Sequence, residues 1–148
     1  MKKLFLSTLL LLLTLSVYSQ RYNVNTYYEE LGGYVISVDE TGMDGVVVSV
    51  KDIRTIVNFC EAYSAVRTAS NYETTAQEFP NWRIPTMDEL KLMYKIYKNG
   101  NGAKLSGNPY WSSTPTDKGM GVLGFFDKST VFGAGPYATY NVRGVRDF

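Results

Sequence analysis

The stretch that decides the fold is Trp82-Arg83-Ile84-Pro85-Thr86-Met87-Asp88-Glu89-Leu90, which contains an extended segment, a turn and a helix start. Thr86 and Glu89 have the T-x-x-E spacing of a capping box. The hydroxyl accepts a hydrogen bond from the Glu89 N–H, and the carboxylate accepts one from the Thr86 N–H. Because a proline disfavours helical geometry in the residue before it, Pro85 keeps Ile84 extended. The sequence therefore predicts a helix that begins directly after Thr86.

The predicted helix has one apolar face and a defined end. Its apolar side chains recur at the i, i+3, i+4 and i+7 spacing of a helix that packs on a core: Leu90, Met93, Tyr94 and Tyr97. Asn99-Gly100 is typical of a helix C-terminus, because glycine accepts the left-handed conformation found there.

Three further elements are predicted upstream of this helix. Residues 22–28 favour a first strand, and residues 34–38 with 46–50 favour a hairpin whose turn uses Gly42 at positive φ. A first helix is expected to run to about residue 68. Either Asp52 or Thr55 is predicted to cap this helix. The residues expected on one face of it are Ile53, Ile56, Val57, Cys60 and Ser64.

The sequence changes character after Gly100, because glycines separate short aromatic segments from there onward. These segments predict strands at about 110–114, 121–127, 129–132 and 139–147. Strand, helix, helix and then a glycine-rich run of short strands is the order of an α+β domain.

Four motifs resemble those of the Lcl C-terminal-domain-like family, a bacterial family of domains of unknown function. They occur along the chain in the same order as in the family. The helix start resembles the family's W-R-[LI]-P-T-x-x-E-L motif. Two upstream segments resemble the G-G-x-V-x-x-V-D…G-x-x-G-L-V hairpin that opens the family's domain: Gly32-Gly33-Tyr34-Val35-Ile36-Ser37-Val38-Asp39 and Gly42-Met43-Asp44-Gly45-Val46-Val47-Val48. Its Y-W-S-S-T and V-R-x-V-R motifs are matched by Tyr110-Trp111-Ser112-Ser113-Thr114 and Val142-Arg143-Gly144-Val145-Arg146.

The resemblance implies the C-type-lectin-like fold, which the related Fibrobacter succinogenes major paralogous domains share. We therefore expect an α+β fold with two helices packed on a small, mostly antiparallel sheet, a glycine-rich loop region, and termini that meet in one sheet. A length of 148 residues leaves room for a single domain, expected over residues 20–148.

The N-terminus predicts export. Lys2-Lys3 precede an apolar run over residues 4–17, and Val17-Tyr18-Ser19 follows as a cleavage site, so residues 1–19 have the parts of a secretory signal peptide. The run is shorter than the ~20 residues that a spanning helix needs. We expect cleavage after Ser19, a periplasmic or extracellular location, and no stable membrane span afterwards.

Charge and residue content exclude several classes of function. Without Lys2 and Lys3 the chain has 13 basic against 14 acidic residues, which is not the balance of a nucleic-acid-binding protein. It has no histidine and one cysteine, which excludes histidine triads and thiolate zinc sites. The resemblance also implies a superfamily that includes the formylglycine-generating enzymes. Their catalysis depends on paired cysteines, which this chain lacks, so catalysis of that kind is excluded. Cys60 is predicted to be an inert, buried thiol. We expect a non-enzymatic protein without a cofactor.

The positions of the Asp and Glu residues predict neither a hydrolytic active site nor a calcium site. Paired acids hydrolyse glycosides, but adjacent acids such as Glu29-Glu30 point to opposite faces of a strand. Sugar-binding C-type lectins hold calcium with E-P-N or Q-P-D and W-N-D motifs. Here Glu78-Phe79-Pro80-Asn81 is an interrupted E-P-N, and Trp82 is followed by Arg83, so no W-N-D is present. No metal site is expected, and a carboxylate-based hydrolase is the least favoured alternative.

Aromatic residues divide into an expected core and open loop positions. The chain has 12 tyrosines, 7 phenylalanines and 2 tryptophans. The predicted core members are Trp82, Trp111, Phe125 and Phe132. Arg143 and Arg146 are expected on opposite faces of one strand, with at least one of them in structural contacts.

The favoured function is an exported binding module that recognises a glycan or a partner protein through loops between the late strands. An aromatic ring beside an amide, an acid and a cation can stack on a sugar and bind its hydroxyls. The predicted ligand-binding residues are Asn108, Asp117, Lys118 and Tyr137. An envelope structural or assembly subunit without a ligand is the main alternative, and residues 22–28 are the alternative binding surface.

Overall fold

The computed structural model describes residues 21–68, 79–124 and 129–148. Within these ranges lie two helices, nine strands and one 3-10 turn at Glu29–Leu31. In chain order the helices and strands are β1 Tyr27–Tyr28, β2 Gly33–Val38, β3 Gly45–Ser49, β4 Arg54–Val57, α1 Phe59–Val66, α2 Met87–Lys98, β5 Tyr110–Thr116, β6 Gly119–Gly124, β7 Thr130–Ala134, β8 Tyr140–Val142 and β9 Val145–Asp147. The proposed signal peptide and Phe125 lie outside the described residues.

Four strands form an antiparallel sheet in the order β1-β2-β3-β9. The first and the last described strand therefore share this sheet, as the resemblance implies. The predicted β2–β3 hairpin is confirmed, and Gly42 in its turn has a φ of 74°. The first strand is shorter than expected, since Tyr22 leaves the sheet and packs edge-on against Tyr28 and Phe148.

Five strands form a second sheet in the order β4-β8-β5-β6-β7. Its neighbours are antiparallel except β5 and β8, which pair in parallel at Tyr110 and Asn141. The α+β class is thus confirmed, but the single expected sheet is replaced by two. The expected continuous strand over 139–147 is wrong: the chain leaves one sheet after Val142 and enters the other at Val145, with Arg143-Gly144 between them.

Helix α2 lies between the two sheets. Its buried side chains share one cluster with Ile36 and Val48 of the four-stranded sheet and with Tyr110 and Leu123 of the five-stranded sheet. The predicted capping box is confirmed, because Thr86 Oγ1 accepts from the Glu89 N–H at 3.3 Å and the Glu89 carboxylate accepts from the Thr86 N–H at 2.7 Å.

Helix α1 starts later than the sequence predicted. Asn58, rather than Asp52 or Thr55, is its N-cap: the Asn58 side chain accepts from the Glu61 N–H at 3.0 Å, and the Glu61 carboxylate accepts from the Asn58 N–H at 3.0 Å. Ile56 and Val57 belong to β4 instead, which pairs with β8, and Ile53 directly precedes this strand.

The later start also changes the environment of Cys60. The residues of α1 that are buried are Ala62 and Val66, and Cys60 is exposed. The prediction of a buried thiol is therefore wrong, since the face that packs on the sheet is set by where the helix begins.

Both tryptophans are core residues, as predicted. Trp111 is fully buried between α1 and the five-stranded sheet, and Trp82 is 5% exposed in a third cluster with Val35 and Val47. Phe132 is half-buried against the Trp111 cluster. Over residues 21–68, 79–124 and 129–148, neither helix has the length and apolar character needed to cross a membrane.

Candidate functional site

Three of the four predicted ligand-binding residues lie near one end of the five-stranded sheet. Asp117 and Lys118 form the exposed turn between β5 and β6, which is closed by Thr116: its hydroxyl accepts from the Lys118 N–H at 3.2 Å and donates to the Gly119 carbonyl at 2.9 Å. Tyr137 lies in the connection that leaves the neighbouring end of β7 and is 93% exposed.

Close backbone approaches place this turn against β7. A Cβ on Gly119 would collide with the Ala134 carbonyl, and a Cβ on Gly133 would lie 2.8 Å from the Lys118 Cβ. Both positions therefore require glycine, because the turn folds directly onto the end of β7.

Asn108 does not join the other three residues. It precedes the first residue of β5, whereas Asp117 follows the last, and a strand of this length spans about 20 Å. Asn108 therefore lies apart from the other three predicted residues, because β5 itself separates its two ends.

A mostly apolar groove of about 350 Å³ lies beside the Asp117–Lys118 turn. Its walls come from the start of α1, from the β5–β6 hairpin and from the end of β7 with the residues that follow it. Its principal lining residues are Phe59, Cys60, Pro115, Met120, Ala134 and Pro136. Thr116 and Gly119 also line this hairpin groove, so Asp117 and Lys118 stand at its rim, and Tyr137 directly follows Pro136.

Sequence reasoning missed the contribution of α1 to the hairpin groove. The sequence predicts a longer helix that has Phe59 and Cys60 near its middle and turns Cys60 towards the core. The signal that identifies the true start is the N-x-x-E spacing of Asn58 and Glu61, which is a second capping box. A helix that begins after Asn58 leaves Cys60 exposed in its first turn.

A second groove, of about 550 Å³, runs along α1 and β4. Cys60 lines both grooves, and the second contains the charged residues Arg54 and Glu61 together with Ser64 and Thr68. None of the predicted ligand-binding residues lines it.

A buried polar cluster lies around Asp52. Its carboxylate accepts hydrogen bonds from the Tyr110 hydroxyl at 2.8 Å, from Arg143 at 2.8 Å and from the Asn141 amide at 3.1 Å. The same Asn141 amide also donates to the Ser106 hydroxyl at 3.1 Å. Burial, together with the negative charge of Asp52, raises the pKa of Tyr110 to about 12. With three donors on one carboxylate, Asp52 is suited to holding β5 and β8 together.

Both C-terminal arginines make structural contacts. Arg143 donates to the carbonyls of Ser49 and Val50 at 2.8 Å, and also to that of Ala103. Arg146 lies on the other side, where it donates to the Leu31 carbonyl at 2.7 Å. Its guanidinium carbon also lies over Phe79, 4.8 Å from the ring centroid. The expectation that at least one of the two is structural is confirmed.

In the part of the chain that the structure describes, no group of three or more Asp, Glu or Cys side chains could hold a metal ion. Glu78 of the interrupted E-P-N motif lies outside that part. No protein-family model matches the chain, and no curated protein matches it either. The hairpin groove and its rim residues are therefore the basis for a functional proposal.

Proposed function

We propose that the protein is an exported, non-enzymatic binding module of the C-type-lectin-like fold, related to the Lcl C-terminal-domain-like family. It recognises a glycan or a partner protein through the loops between its late strands. The observation that carries this proposal is the hairpin groove, which lies between those loops with the almost fully exposed ring of Tyr137 next to Pro136.

The chemistry of the groove suits recognition. Met120 and Pro136 offer an apolar floor for an aliphatic or aromatic side chain, or for the apolar face of a sugar ring. Tyrosine presents a large amphipathic surface with little rotamer entropy to lose. At the rim, Lys118 donates and Asp117 accepts hydrogen bonds, which would orient a polar ligand.

The inventory of reactive groups supports a non-enzymatic role. The chain has no histidine that could act as a general base. The inward-facing carboxylates Asp52 and Glu89 are each paired with an arginine, at 2.8 and 2.7 Å, and so are engaged in holding the fold.

A glycan array and a pull-down with the mature chain test the proposal. The triple variant Asp117→Ala/Lys118→Ala/Tyr137→Ala should lose the ligand that the parent retains. Asn108→Ala is the matched control, because Asn108 is also exposed but lies at the far end of β5; it should bind as the parent does.

The same experiment defines the contrary results. A folded triple variant with full affinity would place the site elsewhere, with residues 22–28 as the next surface to test. A parent chain that retains neither a glycan nor a protein would favour an envelope structural or assembly subunit.

Export is tested separately. Mass spectrometry of the protein from the periplasm or the medium should show an N-terminus at or close to Gln20, because cleavage is expected after Ser19. An intact Met1 in the membrane fraction would contradict this part of the proposal.

A further inference from the structure

The two edges of the five-stranded sheet differ in how they are protected. At one edge, β4 carries Arg54, has an irregular register with β8, and holds Ile56 at a φ of 55°. At the other edge, β7 pairs with β6 in unbroken register from Thr130 to Ala134. No other described strand pairs with β7.

Over its five described residues, the edge strand β7 shows none of three common devices that keep edge strands of different molecules apart. Its sequence, Thr130-Val131-Phe132-Gly133-Ala134, has neither a charged residue nor a proline, and its register shows no bulge. Charges, prolines and bulges are the usual means by which natural edge strands avoid pairing with another chain. Val131 on this strand is 48% exposed.

The sequence of β7 is complementary to itself in the antiparallel direction. With a two-fold axis through Phe132, Val131 lies opposite Gly133 of the second copy, so a large side chain meets a small one on each side of the axis. The half-buried Phe132 meets its own copy, and Cβ atoms of directly opposed residues in such a pair are about 4.5–5.5 Å apart. No like charges face each other.

We propose that two copies of this chain associate edge to edge through β7, as antiparallel strands, so that their five-stranded sheets form one continuous sheet. Such a contact is isologous, because both copies use the same surface around a two-fold axis, and this symmetry is the commonest among homo-oligomers. The interface is independent of whatever the hairpin groove binds.

The symmetry has a consequence for the hairpin groove. A two-fold axis between antiparallel strands is perpendicular to the sheet, so α1 lies on the same face of the sheet in both copies. The two grooves, which α1 lines, then open on the same face. A ligand with repeated units could occupy both at once, which raises its apparent affinity through effective concentration.

Analytical ultracentrifugation of the mature chain over a wide concentration range tests the interface. The parent should dimerise reversibly. Val131→Lys should raise the dimer Kd by about tenfold or more, because it adds two like charges at a diagonal spacing of about 7–8 Å across the axis. Val24→Lys is the matched control: Val24 is the same residue type at the same 48% exposure, lies outside the strands, and should leave the Kd unchanged.

Hydrogen exchange locates the contact independently. The β7 amides that face away from β6 should exchange more slowly as the protein concentration rises, and the amides of β4 should not. The proposal is overturned by a parent that stays monomeric up to its solubility limit. It is also overturned by a Val131→Lys dimer as tight as the parent, or by β7 amides whose exchange does not depend on concentration.

Discussion

At the residue scale, the side chain of Arg83 links the Trp82–Leu90 stretch to the last strand. Its guanidinium donates two hydrogen bonds to the Glu89 carboxylate, both at 2.7 Å, and one to Asp147 at 2.9 Å. Its backbone also pairs with Val145. Glu89 therefore both completes the cap of α2 and receives a bidentate arginine, which joins this helix to the last strand.

The Glu89 carboxyl makes the free energy of unfolding depend on pH in the acid range. Burial raises its pKa, but hydrogen bonds from Arg83 and from the Thr86 N–H outweigh burial, so its pKa lies below the ordinary value. As the pH falls below about 4.5, the unfolded chain takes up the proton first, and the free energy of unfolding decreases.

Glu89→Gln should cost about 1.5–3 kcal/mol at pH 7, since it removes hydrogen bonds to a charged group. Urea denaturation should show a smaller loss of stability on acidification in this variant than in the parent. Parallel pH profiles for the two proteins would contradict the assigned role.

The Tyr110 hydroxyl makes stability depend on base. Because its pKa is raised to about 12 in the folded protein, its contribution is complete below pH 10, the ordinary tyrosine pKa. It is lost as the pH rises through 12, since the unfolded chain releases the proton first.

Denaturation at pH 9.5 and pH 12 should show that the parent loses roughly 2–3 kcal/mol more than Tyr110→Phe. The comparison cancels the ionisation of the other tyrosines. Equal losses in the two proteins would mean that Tyr110 is not desolvated by its surroundings.

At the scale of an element, α2 is the part of the fold that both sheets require. One face of this helix supplies side chains along its whole length to the cluster shared by the two sheets. Its first N–H groups are satisfied by the capping box and by Thr114, whose hydroxyl accepts from the Met87 N–H at 2.9 Å. A weakened start of α2 therefore destabilises contacts with both sheets.

Thr86→Ala should lower the free energy of unfolding by about 1 kcal/mol, because it removes the N-cap acceptor. Thr86→Ser keeps a hydroxyl at the same position and should stay within a few tenths of a kcal/mol of the parent. If both variants denature like the parent, the cap does not contribute to stability.

At the scale of the whole molecule, the five-stranded sheet is covered on both faces. Tyr110 and Trp111 are consecutive in β5 and point to opposite faces, towards α2 and α1 respectively. Trp111 is held by Phe59 and Tyr140, with ring centroids at 5.5 and 5.1 Å, and its indole N–H donates to the Val57 carbonyl at 2.7 Å.

Trp111→Ala and Trp82→Ala should each cost about 3–5 kcal/mol, as deletions of buried aromatic side chains. That cost is large compared with the total stability of a small domain, so the melting temperature should fall sharply. Tyr137→Ala is the matched aromatic control, because its ring is exposed and its removal should leave the melting temperature unchanged. A tryptophan variant that melts like the parent would contradict the core assignment.

Calcium should not change the stability of the whole molecule. An ion that binds only the folded state raises the apparent stability by mass action, and the acidic motifs for such an ion are missing. The melting temperature should be the same with added calcium and with a chelator. A reproducible rise with calcium would show a site that the motifs do not reveal.

The sequence by itself determined the features that depend on neighbouring residues. The start of α2 follows from the capping box at Thr86 and Glu89, and the β2–β3 hairpin follows from its alternating apolar residues and Gly42. The burial of Trp82 and Trp111 follows from their size and apolar character. The cap and the hairpin turn are local interactions, so the residue types within a few positions are sufficient to specify them.

Only the tertiary structure decided the features that depend on distant strands. Residues 54–57 fit a helix or a strand, and their pairing with β8 selects the strand, which in turn exposes Cys60. The break at Arg143 follows from carbonyls contributed by Ser49, Val50 and Ala103. Asn108 is separated from Tyr137 and its neighbours because β5 extends between them. Pairing between segments far apart in sequence costs loop-closure entropy and is stabilised only by the assembled core, so no short stretch of the sequence contains it.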